Sequence, residues 1–196
     1  MHRALQKSGL DDNADLKLIW PLIKHSNSIL EVGAGYGRAL EFLMNKNYQG
    51  KISALERSKK LFQTLLARYP ENVHLFNESI QKFNTGKYDA VLWLWAGVSD
   101  FSEDEQITTI GLLADLLEPG GQLIIDTMTQ LNNEKFHNHS FCIGPDRIHR
   151  CIPSSSAMIH NAHSARLNVT QKIEYGSTEM KRCLYFLARD SETIKP

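Results

Sequence analysis

Ile29-Leu30-Glu31-Val32-Gly33-Ala34-Gly35-Tyr36-Gly37-Arg38 is the segment on which the fold turns. Its first four residues read as a short buried strand, which the alternating glycines stop. Leu40, Leu43 and Met44 then fall on one face of a following helix. Glycines between a strand and a helix allow positive φ and let backbone approach a ligand closely. In open α/β sheets that carboxyl end of the strand is where ligands bind. A dinucleotide fingerprint, G-x-G-x-x-G, would place its third glycine at Arg38, where a bulky side chain opposes close helix–strand packing. A phosphate-binding P-loop is excluded, because no Gly-Lys-Ser/Thr follows at the required spacing.

The same alternation continues outward. Lys51 to Leu55 reads as a second strand, and Leu61, Phe62, Leu65, Leu66 and Tyr69 as the inner face of a helix that Ser58 caps. Val73 to Phe76 and Tyr88 to Trp95 are the third and fourth strands. Ser102-Glu103-Asp104-Glu105 has capping-box spacing, and a helix using Ile107, Ile110, Ala114 and Leu117 follows. Pro119-Gly120-Gly121 ends it before the apolar strand Leu123-Ile124-Ile125. Upstream, Leu16, Ile19, Trp20 and Ile23 form a helical stripe that Pro21 is expected to bend or divide. Downstream, Leu167, Val169, Ile173 and Tyr175 alternate at period two. With the apolar run Arg182 to Ala188 they predict an antiparallel hairpin through Gly176-Ser177. Strands alternating with helices require parallel pairing through helical crossovers. The expectation is one doubly wound α/β domain, a mostly parallel seven-stranded sheet with a C-terminal antiparallel hairpin. Residues 1–27 form an N-terminal helical segment, 28–127 a cofactor-binding core, 128–165 a substrate or lid segment, and 166–190 the edge hairpin.

The 196 residues carry 22 Lys+Arg against 22 Asp+Glu, so the formal charge is zero. That balance argues against coating nucleic acid or anionic membranes. The longest apolar stretches fall short of the roughly 18 residues a membrane helix needs. The opening residues have no segment of signal-peptide length. Three cysteines, Cys142, Cys151 and Cys183, do not make a disulfide framework and suit a reducing compartment, so a cytoplasmic protein is expected.

The pattern E-x-G-x-G-x-G resembles motif I of the class I S-adenosylmethionine-dependent methyltransferases, and the likeness continues in order. Ile52-Ser53-Ala54-Leu55-Glu56 resembles the family's second strand, and Glu56 lies 19 residues beyond Gly37. Val73 to Ile80 resembles the third-strand motif, Lys87 to Leu94 the F/Y-D-x-V strand, and Leu116 to Leu123 the L-x-P-G-G-x-L turn. The resemblance covers residues 14–127. It implies a Rossmann-like fold, S-adenosyl-L-methionine as cofactor, and transfer of its methyl group. It places Gly33, Ala34 and Gly35 against the cofactor's amino-acid and sugar portions, with Tyr36 either covering it or facing solvent. Glu31 would orient the ammonium group, together with carbonyls around Trp93 and Leu94. Glu56 would accept from the ribose hydroxyls beside Arg57, and Glu78 or Ser79, with Ile80, would read the adenine.

The remaining features bear on the acceptor. Trp93 and Trp95, read on one side of a single strand, are either packing residues or an aromatic wall beside the transferred methyl. His137, His139, His149, His160 and His163 cluster after the fifth strand without a compact zinc spacing, so no metal is expected. Asp126, His137 and His139 are candidate bases or substrate anchors. No Asn/Asp-Pro-Pro-aromatic sequence follows the fourth strand, which counts against methylation of DNA adenine or glutamine side chains. The expected acceptor is a small molecule, with a protein acceptor or partner left open. Two rival readings are a non-catalytic methyltransferase-like scaffold and an NAD(P)-dependent oxidoreductase.

Overall fold

The alternation of strands and helices is present in the computed structural model. It describes residues 13–190 except 70, 72, 132–133, 136–138, 144–147 and 179. Five parallel strands come first: β1 Ser28–Val32, β2 Lys51–Leu55, β3 His74–Phe76, β4 Tyr88–Trp93 and β5 Leu117–Leu131. The short β6 Glu134–Lys135 folds back on β5, and β7 His139–Ile143 pairs with β8 Ile148–Ile152 as a separate ribbon. β9 Asn168–Gly176 and β10 Met180–Ala188 form the expected hairpin, with β10 antiparallel to both β9 and β5. The main sheet runs β3-β2-β1-β4-β5-β10-β9. Its order reverses between β1 and β4, which opens a crevice at their carboxyl ends.

Alternating side chains on these strands serve two cores, which explains their unbroken apolar character. Leu30, Val32, Val91, Leu123 and Ile125 face α4 Glu103–Asp115 and α5 Ser155–Ser164. Ile29, Ile52, Ala54, Leu92 and Ile124 face α1 Ala14–Ile23, α2 Arg38–Asn45 and α3 Lys59–Arg68. Ser58 caps α3 by accepting from the Leu61 amide, and Glu105 accepts from both the amide and the hydroxyl of Ser102 ahead of α4.

Four expectations are refined or corrected. The alternative of two helices divided at Pro21 is excluded, because α1 runs through Pro21 and ends two residues later. Leu66 is 42% exposed, so the inner face of α3 is carried by Leu65 with Tyr69 behind it. Trp95 is not on β4, which ends at Trp93; Trp95 and Ala96 take left-handed backbone with φ of 55° and 56°. The two tryptophans therefore part: Trp93 is 2% exposed and Trp95 41%. The 128–165 segment, expected as a substrate or lid segment, carries regular elements that its weak period did not show. β5 continues to Leu131, and α5 packs against α4 and β9 with Met158 and Ala162 fully buried. Within that segment the sequence lacked a strong period because α5 is short and only Met158, Asn161 and Ala162 of it are buried.

Candidate functional site

A crevice of about 450 Å³ opens where the sheet order reverses. Its floor is Val32, Gly33, Leu55 and Glu56, at the ends of β1 and β2. The turn after β1 is locked to β2, because the amides of Gly33 and Ala34 both donate to the Leu55 carbonyl at 2.9 Å. Gly33, Gly35 and Gly37 all have positive φ, as the strand-to-helix reversal requires. Gly37 is also hemmed in. A Cβ there would stand 2.8 Å from Leu65 Cδ2 and 3.0 Å from a Tyr69 ring carbon, whereas one on Gly33 would meet nothing within 4 Å. The two positions should respond differently to alanine. Gly37→Ala is expected to lose about 1–3 kcal/mol of stability in urea unfolding. Gly33→Ala carries only the left-handed strain, about 1–2 kcal/mol, but puts a methyl group at the crevice floor and should weaken ligand binding there.

Glu56 is the best-held acidic group in the crevice. It follows β2 directly, is 6% exposed, and its amide donates to the Phe76 carbonyl. Asn77 Nδ2 donates to its carbonyl at 2.8 Å, so its backbone is fixed from both sides. Its carboxylate accepts from the Gly35 amide at 2.8 Å and from the Ser58 amide at 2.7 Å. One side chain thus joins the glycine turn to the start of α3 while still presenting lone pairs to the crevice.

Glu31 is the penultimate residue of β1 and is not among the residues that line the crevice. It is buried, and its Oε2 has no hydrogen-bond partner. Burial pushes its carboxyl up to about 8, with Asp15 and Glu56 adding to the effect and Arg38 opposing it. A buried acceptor with a free oxygen, among further carboxylates, suits a cationic donor.

The remaining expected residues divide. Arg57, Glu78, Ser79 and Ile80 line one end of the crevice, and Trp93 and Leu94 the other. Tyr36 is 59% exposed. Asp126 is fully buried: Arg182 donates to it through Nε at 3.2 Å and through Nη2, and Tyr175 through its hydroxyl at 2.7 Å. His137 lies outside the described residues; the backbone of His139 pairs with Ile152 in the β7–β8 ribbon. Among the described residues no three His, Cys, Asp or Glu side chains gather as metal ligands.

Sequence reasoning missed Asp15 and Arg38 as a pair, and Asp100 and Arg150, an ion pair at the crevice wall. A signal for the first existed. Asp15 stands four residues before Ile19, on the apolar stripe of α1, where an unpaired carboxylate would be costly. Nothing comparable marks Asp100 with Arg150, which are 50 positions apart.

Comparison with known proteins gives a consistent picture. Residues 29–121 match the model of a methyltransferase domain. No curated protein matches the sequence. Among solved structures, the chain resembles a Burkholderia thailandensis 1,6-didemethyltoxoflavin-N1-methyltransferase with bound 1,6-didemethyltoxoflavin and S-adenosylhomocysteine. The TM-score is 0.75 at 13% identity, over 95% of this chain and 84% of that one. It also resembles an S-adenosylmethionine-dependent methyltransferase from Clostridium acetobutylicum, with TM-score 0.70 and 13% identity over 93% and 91% of the two chains. A third is the glycopeptide N-methyltransferase MtfA complexed with S-adenosyl-L-methionine, with TM-score 0.71 and 14% identity over 94% of each chain. At these identities the structural likeness establishes the fold. No helix among the described residues is long and apolar enough to cross a membrane.

Proposed function

We propose that this chain, whose residues 29–121 match the model of a methyltransferase domain, is a class I S-adenosylmethionine-dependent methyltransferase that transfers a methyl group from S-adenosylmethionine to a small-molecule acceptor. The observation that carries the cofactor assignment is Glu56, buried at the crevice floor with its carboxylate held by two backbone amides. Its remaining lone pairs suit two vicinal hydroxyls of a ribose. Glu31, with one buried oxygen unpartnered, suits the ammonium group at the other end. Gly33 leaves the floor free of side chain between them. Arg57, Glu78, Ser79 and Ile80 would surround the adenine, and Trp93 with Leu94 would flank the methionine portion.

When bound, the cofactor supplies a sulfonium, whose carbon–sulfur bond is broken as an acceptor lone pair takes the methyl. The protein's own work is alignment and exclusion of water, which together account for much of the acceleration in reactions of this kind. Trp93, in edge contact with Phe101 at 5.4 Å, forms a dry wall at the transfer end, and the exposed Trp95 offers an acceptor an aromatic face. Asp126 is committed to Arg182 and Tyr175, so an acceptor that arrives as a neutral amine, needing no base for attack, suits this site better than one that must lose a proton first.

Support for a small acceptor comes from the balanced charge and from the similarly folded 1,6-didemethyltoxoflavin-N1-methyltransferase, whose structure holds 1,6-didemethyltoxoflavin. The test is a screen over small amines, phenols, thiols and carboxylates that reads S-adenosylhomocysteine production. Turnover with one class is the expected result. Tight S-adenosylhomocysteine binding without turnover on any acceptor would favour a scaffold, and binding of NAD(H) alone an oxidoreductase.

A further inference from the structure

The turn after β4 holds a tryptophan in a backbone it does not favour. Trp95 and Ala96 are consecutive non-glycine residues with φ of 55° and 56°. Left-handed backbone crowds a Cβ and persists only where its surroundings enforce it, most often at binding and catalytic sites. Enforcement is visible on both sides of this turn. The Ala96 amide donates to the Asp126 carbonyl at 3.1 Å, and the Gly97 amide to the Leu94 carbonyl at 3.2 Å. Gly97 is packed tightly as well, since a Cβ there would stand 2.6 Å from Trp93 Nε1. From the other side Arg38 lies over the Trp95 ring, its guanidinium carbon 5.7 Å from the ring centre. Asp15 fixes that guanidinium by accepting from Nη1 at 2.7 Å and from Nη2 at 2.6 Å. The ring so held is 41% exposed and lines the crevice. An indole left this open gains little from burial, so packing does not offset the strain.

The charges around the ring narrow what it can take. An aromatic face attracts cations, but Arg38 already occupies this one, which disfavours an ammonium on the opposite side. A base to deprotonate an ammonium is missing too. No histidine is among the described residues that line the crevice. Asp100 is paired with Arg150, Glu56 accepts from two backbone amides, and Asp126 from Arg182 and Tyr175. Glu78 stands at the end assigned to adenine. An alkyl amine, like a lysine, is unprotonated to only about one part in a few thousand at pH 7. An aromatic amine is neutral there, because its lone pair is shared with the ring, and its plane can stack on an indole.

We propose that Trp95 selects the acceptor, and that the acceptor is a planar aromatic or heteroaromatic amine stacked on it. The inference deepens the methyltransferase reading and rests on it. The amine lone pair forms the new bond to the methyl carbon as the carbon–sulfur bond breaks and its electron pair stays on sulfur. The ring-bound ammonium that results is acidic and gives its proton to solvent without a protein base.

The test measures kcat/KM for three acceptor sets: anilines and aminopyrimidines, which are neutral and planar; O-alkyl hydroxylamines, which are neutral but have no ring; and alkyl amines of similar size. In the wild type the planar set should exceed the hydroxylamines by about threefold to tenfold, the range of an aromatic stacking contact, with alkyl amines slowest. Trp95→Leu should abolish the first gap and keep the second. Trp95→Gly should do the same and unfold in urea at no lower concentration than wild type, because glycine suits this φ. Affinity for S-adenosylhomocysteine should stay within about twofold in both. The inference is overturned by alkyl amines that react as fast as planar ones, or by a first gap that survives in either variant. It is equally overturned by a loss of stability or of S-adenosylhomocysteine affinity that matches the loss of turnover. Turnover confined to phenols, thiols or carboxylates overturns it and leaves the methyltransferase reading standing. A wild type that binds no S-adenosylhomocysteine, or turns over no acceptor at all, overturns that reading itself.

Discussion

Glu56→Ala is expected to raise the dissociation constant for S-adenosylhomocysteine about 10- to 100-fold, which corresponds to about 1–3 kcal/mol. The magnitude follows from what the carboxylate does. Hydrogen bonds to an ionised acceptor are worth more than neutral ones, and this acceptor stands at 6% exposure, where water replaces them poorly. The alanine variant also frees the amides of Gly35 and Ser58, so the glycine turn is held on the β2 side only by its two bonds to the Leu55 carbonyl. Glu56→Gln should be nearly as damaging. Both of its protein partners are N–H donors, so a glutamine must turn its own NH₂ toward one of them or away from the ligand. Calorimetry on the folded variants decides. A dissociation constant within about twofold of wild type for both variants would remove Glu56 from the ribose site.

The contrast between Glu56 and Asp15 shows which parts of the site can be read in a linear sequence. Glu56 is legible because its place is set by local rules. A strand ends at Leu55, a glycine turn lies one crossover upstream, and an acidic residue at that strand end has one crevice to face. The mostly parallel sheet with its closing antiparallel hairpin is legible for a similar reason, since apolar runs separated by helical stripes admit few topologies. The Asp15–Arg38 pair depends on how an N-terminal helix docks across the sheet, which no local period encodes. Trp95 failed for a subtler reason: alternation holds only while the backbone is extended, and the strand ends at Trp93, with Trp95 and Ala96 both left-handed. The helix within 128–165 was not legible because a long histidine-bearing stretch of weak periodicity reads as loop. Its last third instead packs as α5, burying just Met158, Asn161 and Ala162.

Asp126→Ala is expected to lose about 3–5 kcal/mol of stability, a large share of the roughly 5–15 kcal/mol of a typical domain. The reason is the partner left behind. Arg182 is 1% exposed, and without Asp126 its guanidinium keeps only the Tyr175 hydroxyl at 3.1 Å and Met180 Sδ at 3.8 Å. That charge cannot be shed, because an arginine stays protonated, so the penalty is structural. The same carboxylate reaches the crevice through backbone. Asp126 accepts from the Ala96 amide with Oδ2 at 3.3 Å and with its main-chain carbonyl at 3.1 Å, which steadies the left-handed turn that places Trp95. The double variant Asp126→Leu/Arg182→Met removes both charges and should recover most of the loss, since a well-packed apolar pair replaces a buried ion pair at little net cost. Urea unfolding with unchanged slope measures both. The recovered double variant also separates two roles for Asp126. A base that deprotonates the acceptor would be missing from it and turnover would fall about 100-fold or more, whereas an anchor of the β5–β10–β9 edge would be replaced and turnover kept. With Arg182, Tyr175 and Ala96 all donating to its carboxylate, the anchor is the expected result, and an Asp126→Ala protein as stable as wild type would contradict the ion pair on which that expectation stands.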